Sequence, residues 1–212
     1  MSLSTDLLDA LSPENKIFVA FSGGLDSTAL LFLCNKALKE KKIRNLKAIH
    51  INHNLSKNSD NWQQHCESFC RSNKIEFESF IVEVSKNRSS IESQARQERY
   101  KIFESLLDEN DQILLAHHRD DVFETLLLRL FRGTGVDGFS GLNEKRSLGK
   151  GEIIRPFLNS SKSDLKIYID ENDLQYVEDD TNSNNDFDRN FLRNEIVPVS
   201  YTHLTLPTIY SV

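Results

Sequence analysis

Two serines, two glycines and an aspartate fall within six residues, Ser22-Gly23-Gly24-Leu25-Asp26-Ser27, between the apolar run Ile17–Phe21 and an amphipathic stretch. Paired glycines permit unusual backbone angles and let N–H groups approach an anion closely. Ser22 and Ser27 add hydroxyl donors, and a helix beginning here would offer its positive N-terminal end. No lysine follows the glycines, unlike the GxxxxGK[ST] loop. Asp26 stands there instead, which suits magnesium beside a pyrophosphate. The competing reading is a glycine turn with an Asp or Ser helix cap.

A second constellation runs His117-His118-Arg119-Asp120-Asp121-Val122-Phe123-Glu124-Thr125. Asp120 and Asp121 at a helix start are favoured by its dipole, and Asp121-x-x-Glu124 fits a capping box. Capping leaves the two histidines before them unexplained. Arg129, Arg132, Lys145, Arg146, Lys150 and Arg155 cluster about the glycine-rich stretch Gly133–Gly151, read as a loop. On charge alone they are a solvated surface or a basic patch for phosphates. Cys34, Cys66 and Cys70 include no CxxC pair, so reduced, structural thiols are expected.

The elements that must hold these residues alternate. Apolar runs at Ile17–Phe21, Leu46–Ile51, Phe77–Val84, Ile113–Ala116 and Ile153–Arg155 read as strands, the last stopped by Pro156. Thr28–Lys39, Asp60–Ser72, Ile91–Leu107 and Asp121–Phe131 carry helical spacing between them. This rhythm predicts an α/β fold, a doubly wound, mostly parallel sheet with helices on both faces. Ligands of such sheets bind at the carboxyl edge, where both constellations fall. A net charge of −6 and a pI near 5.6 disfavour a general nucleic-acid binder, so any RNA contact needs a local basic patch. No apolar run is long enough for a bilayer and no signal peptide is visible, so a cytoplasmic protein without membrane contact is expected.

SGGLDS after a buried strand resembles the loop of the PP-loop pyrophosphatases, which cleave ATP to AMP and pyrophosphate while activating a carbonyl oxygen. Four further segments narrow the likeness: His50-Ile51-Asn52-His53-Asn54-Leu55, Glu92-Ser93-Gln94-Ala95-Arg96-Gln97-Glu98-Arg99-Tyr100, the block His117–Thr125 running on to Arg132-Gly133-Thr134-Gly135, and Arg155-Pro156-Phe157-Leu158 with Glu178–Asn182 and Arg189-Asn190. Together they resemble the tRNA(Ile)-lysidine synthetases over roughly Lys16 to Pro198. That resemblance implies ATP and magnesium as cofactors, with L-lysine and a CAU-anticodon tRNA(Ile) as partners. Lysine would be joined to C2 of the wobble cytidine through an adenylated intermediate, with release of AMP and pyrophosphate.

It further implies Asp26, His118, Asp121 and Glu124 as catalytic residues, with Asp26 on magnesium, His118 near the phosphates, and Asp121 and Glu124 near the cytidine or lysine amine. Ser22, Gly23, Gly24, Leu25, Asp26, Ser27 and His50 would hold ATP. Arg96, Arg129, Arg132, Gly133, Gly135 and Arg189 would hold tRNA or substrate. Arg96 and Arg99 could equally serve ATP phosphates or the helix face. A homodimer is left open. Departures from the family are Thr181, where proline is common, and Ser56, where arginine is.

The catalytic domain is expected to span residues 1–198, with a polar loop or hinge near 179–188. The tail Val199–Val212 has no Asp, Glu, Lys or Arg, and Val199–Thr208 matches one reading frame of a common transposon-based sequencing adapter. It is expected to be non-native, with the family's C-terminal domain absent. A cytidine thiolase of the same superfamily would be expected to carry CxxC. A non-catalytic ATP-binding fragment is the rival from another class.

Overall fold

The computed structural model describes residues 3–54, 56–82, 91–131, 133, 142–178 and 191–196. The elements are α1 (Leu3–Ala10), β1 (Lys16–Ala20), α2 (Leu25–Lys39), β2 (Asn45–Asn52), α3 (Ser59–Asn73), β3 (Glu76–Ile81), α4 (Ile91–Leu106), β4 (Gln112–Leu114), α5 (Arg119–Phe131), β5 (Lys145–Leu148), β6 (Gly151–Ile154) and α6 (Lys162–Glu171), followed by a π-helical turn, Leu192–Ile196.

The six strands form one sheet in the order β3-β2-β1-β4-β6-β5. Every pairing is parallel except the antiparallel β5–β6 hairpin. Alternation along the strands sorts the core into two layers. Ile17, Val19, Ala48, Leu114 and Ile154 point to one face, where residues of α1, α2, α3 and α6 cover them. Phe18, Ile49, Ile113 and Ile153 point to the other, against Phe103 and Leu107 at the end of α4. Helices therefore lie on both faces, as the sequence predicts. Among the described residues no helix is long and apolar enough to cross a membrane.

The chain divides into two compact units: residues 1–119 with 143–177, and residues 120–142 with 178–212. The first holds the sheet. The second holds most of α5 and the π-helical turn.

Three sequence expectations need correction. Gly133–Gly151 is not loop throughout, because residues 145–148 form the edge strand β5. Its residues Lys-Arg-Ser-Leu carry no apolar alternation; backbone pairing with β6 makes them a strand, and charge on an edge is ordinary protection against further pairing. Asp121 is not an N-cap, since α5 begins at Arg119 and Asp121 lies inside the first turn. Helices α1 and α6 were not anticipated. The expected hinge at 179–188 and tail at 199–212 lie outside the described residues.

Candidate active site

β1 pairs with β2 on one side and β4 on the other, so the chain leaves β1 where strand order reverses. Carboxyl ends of adjacent strands separate there and leave a crevice suited to a ligand. Ser22–Ser27 leaves β1 at that point, and His117–His118 leaves β4 beside it.

The loop is tied from within and left open at its mouth. The hydroxyls of Ser22 and Ser27 lie 3.0 Å apart, Ser27 Oγ donates to the Gly24 carbonyl at 3.0 Å, and Thr28 Oγ1 donates to the Gly23 carbonyl at 3.3 Å. Ser22 itself is exposed. Gly24 takes the N-cap position of α2, and no side chain caps it. The N-cap position is thus a glycine rather than an Asp or Ser, Gly24 N–H donates to Ser22 Oγ at 3.4 Å, and the start of α2 is suited to an anion.

Gly23 has φ +84°, and a Cβ there would come within 2.9 Å of Cys66 Sγ from α3. Glycine is thus demanded by both conformation and space. Cys34, Cys66 and Cys70 are all free and buried. Burial pushes each thiol up, Cys70 to about 12, so they remain neutral and unreactive at neutral pH.

Asp26 stands in the first turn of α2 with its side chain about one-third exposed. Its Oδ2 lies 3.7 Å from Nε2 of the buried His118, within ion-pair range but too long for a hydrogen bond. Its Oδ1 is buried with no hydrogen-bond partner among the described residues. A carboxylate so placed fits a hard cation whose other ligands are phosphate oxygens and water. Among the described residues no group of three His, Cys, Asp or Glu could hold a metal by itself.

His50 reaches the loop from behind. Its Nδ1 lies 2.9 Å from the Phe21 carbonyl, so the proton sits on Nδ1 and the ring braces the residue preceding the loop. Burial holds His50 below the ordinary histidine range. His53 is lowered by burial, then by Arg99 and His50.

The remaining expected residues divide between the two units. Asp121, the buried Glu124, Arg129 and Gly133 belong to the second unit. There Thr125 Oγ1 donates to the Asp121 carbonyl at 2.7 Å, and Gly133 has φ +69° with open space about it. Arg96 is exposed on α4, donating to Tyr100 Oη at 3.2 Å. Lys145, Arg146 and Lys150 are exposed, but Arg155 is only 2% exposed and leaves the surface patch in which charge alone placed it. Arg132, Gly135 and Arg189 lie outside the described residues.

One participant left no mark in the sequence. Val177 N–H donates to the Gly23 carbonyl at 2.9 Å, so the segment after α6 straps the loop. A backbone contact places no demand on residue type.

A strand, a glycine loop and an acid at a helix start, set at the switch point, are the arrangement of a PP-loop domain. The PP-loop domain model matches residues 2–200, and the chain belongs to that family. It is 42% identical over 193 residues to the tRNA(Ile)-lysidine synthase of Coxiella burnetii (strain RSA 493 / Nine Mile phase I), covering 91% of this chain and 43% of that protein. The synthase of Legionella pneumophila (strain Lens) is 42% identical over 197 residues, covering 93% and 45%. The chain thus spans less than half the length of these curated relatives. Among solved structures, a U34-tRNA thiolase from Methanococcus maripaludis superposes with TM-score 0.73 at 18% identity, covering 95% of this chain and 72% of that one. At that identity the shared property is the fold.

Proposed function

We propose that the chain is the ATP-dependent catalytic part of a tRNA(Ile)-lysidine synthetase, a ligase forming a carbon–nitrogen bond. The observation that carries this reading is the glycine loop Ser22–Ser27 at the start of α2, with Asp26 Oδ2 3.7 Å from His118 Nε2. The 42% identity to tRNA(Ile)-lysidine synthases directs it to that substrate.

ATP is held with its phosphates over the amides of Gly23, Gly24 and Leu25 and the hydroxyls of Ser22 and Ser27, and Asp26 is the residue to hold magnesium, which supplies charge neutralisation beside the pyrophosphate. The C2 oxygen of the wobble cytidine attacks the α-phosphorus, and pyrophosphate leaves. The neutral lysine ε-amine then attacks C2, the C–O bond breaks, AMP departs and the nitrogen loses a proton. Asp121 and Glu124 are assigned to the lysine amine and cytidine, and His118 to the phosphates. Arg96, Arg129, Arg132, Gly133, Gly135 and Arg189 are assigned to the tRNA side. Much of the acceleration is positioning together with charge stabilisation.

The test is incubation with ATP, labelled lysine and a CAU-anticodon tRNA, with the chain as it stands and joined to the C-terminal region of one of these relatives. AMP release dependent on both lysine and tRNA, with label entering the tRNA, is expected. ATP binding without AMP release in either form would favour a nucleotide-binding module instead. The thiolase alternative has less support, because the three cysteines are buried and include no CxxC.

A further inference from the structure

Arg155 follows β6, its backbone N–H donating to the Glu144 carbonyl at 2.8 Å. Its guanidinium is buried and donates to neutral acceptors: Nη1 to the Asn143 carbonyl at 2.7 Å and Nε to His117 Nδ1 at 3.2 Å. No carboxylate pairs with it among the described residues. Its surroundings add positive charge, since the guanidiniums of Arg96 and Arg146 sit 5.0 and 5.1 Å from the Tyr100 ring centroid. A buried cation without a counter-charge is costly, so each neutral acceptor is worth more than a surface contact.

This arrangement dictates the state of one histidine. Guanidinium nitrogens only donate. His117 Nδ1 must therefore accept, which leaves the proton of a neutral imidazole on Nε2. Placing a proton on Nδ1 would break the bond to Arg155 and turn two donors toward each other in a partly buried site. His118, the next residue, lies instead against Asp26. Its backbone pairs with Phe157, while Arg119 N–H donates to the Ser160 carbonyl at 2.9 Å. The bridge that continues β4 holds His118 level with Phe157, which sets His117 beside the 155–156 segment, where Arg155 Nε reaches its Nδ1. The two adjacent histidines, unexplained by capping, are sorted by their partners.

We propose that Arg155 is a positioning residue that locks His117 in the Nε2–H tautomer, making it a fixed hydrogen-bond donor for the adenylation or lysine-transfer step while His118 serves the Asp26 side of the phosphate loop. The donor role rests on the function proposed above; the tautomer does not.

The tautomer is read directly from long-range proton–nitrogen correlation spectra of the whole chain labelled at histidine nitrogen. One imidazole, assigned by its loss in His117→Gln, shows a bare Nδ1 and a protonated Nε2. His50 is the internal reference with the opposite pattern, because its Nδ1 donates to the Phe21 carbonyl. In Arg155→Met the His117 pattern moves toward an average of tautomers. A protonated Nδ1 on His117 in the unaltered chain overturns the proposal even if Arg155→Met fails to fold.

The donor role is read from lysine-dependent AMP release. His117→Gln, whose amide can donate from the Nε2 position, stays within about tenfold of the parent. His117→Asn, whose amide sits at the Nδ1 position, loses about 100-fold, as removal of one preorganised donor does. Equal activity of the Asn and Gln variants overturns that role. An inactive parent with the expected tautomer would sink the function proposed above and leave the Arg155–His117 arrangement standing.

Discussion

A carboxylate two residues beyond paired glycines repels the phosphates it must approach unless a cation stands between them. Asp26 Oδ2 lies 3.7 Å from His118 Nε2 and its Oδ1 has no hydrogen-bond partner among the described residues, and the function proposed above assigns it the cation beside the pyrophosphate. Asp26→Ala is accordingly expected to lower lysine-dependent AMP release by at least about 100-fold without unfolding the chain. Unchanged ATP–pyrophosphate chemistry in that variant would remove Asp26 from the site. Gly23 answers a different demand, because conformation and crowding both act on it. Gly23→Ala carries roughly 1–2 kcal/mol of left-handed backbone strain and also drives its new methyl against Cys66 Sγ. Cys66→Ala relieves the second cost and not the first, so the double variant should recover part of the lost stability. A double-mutant cycle by denaturant unfolding measures the difference, and strict additivity would refute the packing.

At the scale of elements, legibility followed burial. Strands β1, β2 and β4 are continuous or near-continuous apolar segments because helices cover both their faces. The loop Ser22–Ser27 stands out in the sequence for a related reason, since conformation and crowding restrict residue type there, as at Gly23. Strand β5 does not: its Lys-Arg-Ser-Leu is mostly exposed, and its identity comes from the partner strand. Arg155 shows the same gap in reverse. Its charge placed it on the surface, whereas backbone pairing to residue 144 carries it into the interior. Helix α6 carries its own start signal. Ser161 accepts from Asp164 N–H at 3.2 Å while Asp164 Oδ2 accepts from Ser161 N–H at 2.7 Å, a reciprocal capping box. Ser161→Ala removes one half and should cost about 1 kcal/mol, a fall in Tm of roughly 2–4 °C. Because α6 packs on α2, which opens at the phosphate loop, ATP affinity is the informative companion measurement. A change in affinity without a change in Tm would place Ser161 in the site rather than the scaffold.

For the molecule as a whole, pH acts through groups that burial keeps neutral. His50 and His53 are both held below the ordinary histidine range, chiefly by burial. Their unfolded counterparts take up protons near pH 6.5, before the folded chain does. The unfolded state therefore binds more protons just below that point, and stability declines as pH falls from about 6.5 through the depressed folded values. Tyr168 acts at the other end. Burial pushes its hydroxyl from 10.0 up to about 12, so the unfolded chain ionises first and stability is lost as pH rises through that interval. Unfolding midpoints measured from pH 5 to 11 should form a plateau between these limbs. His50→Asn keeps a donor for the Phe21 carbonyl without a titrating ring and should make the acid limb shallower. Exposed carboxylates such as Asp164, lowered by its bonds to Ser161, act only near pH 4 and below, so they cannot imitate that limb. An acid limb of unchanged steepness in His50→Asn would show that the histidine bracing the phosphate loop is not the group that senses the proton.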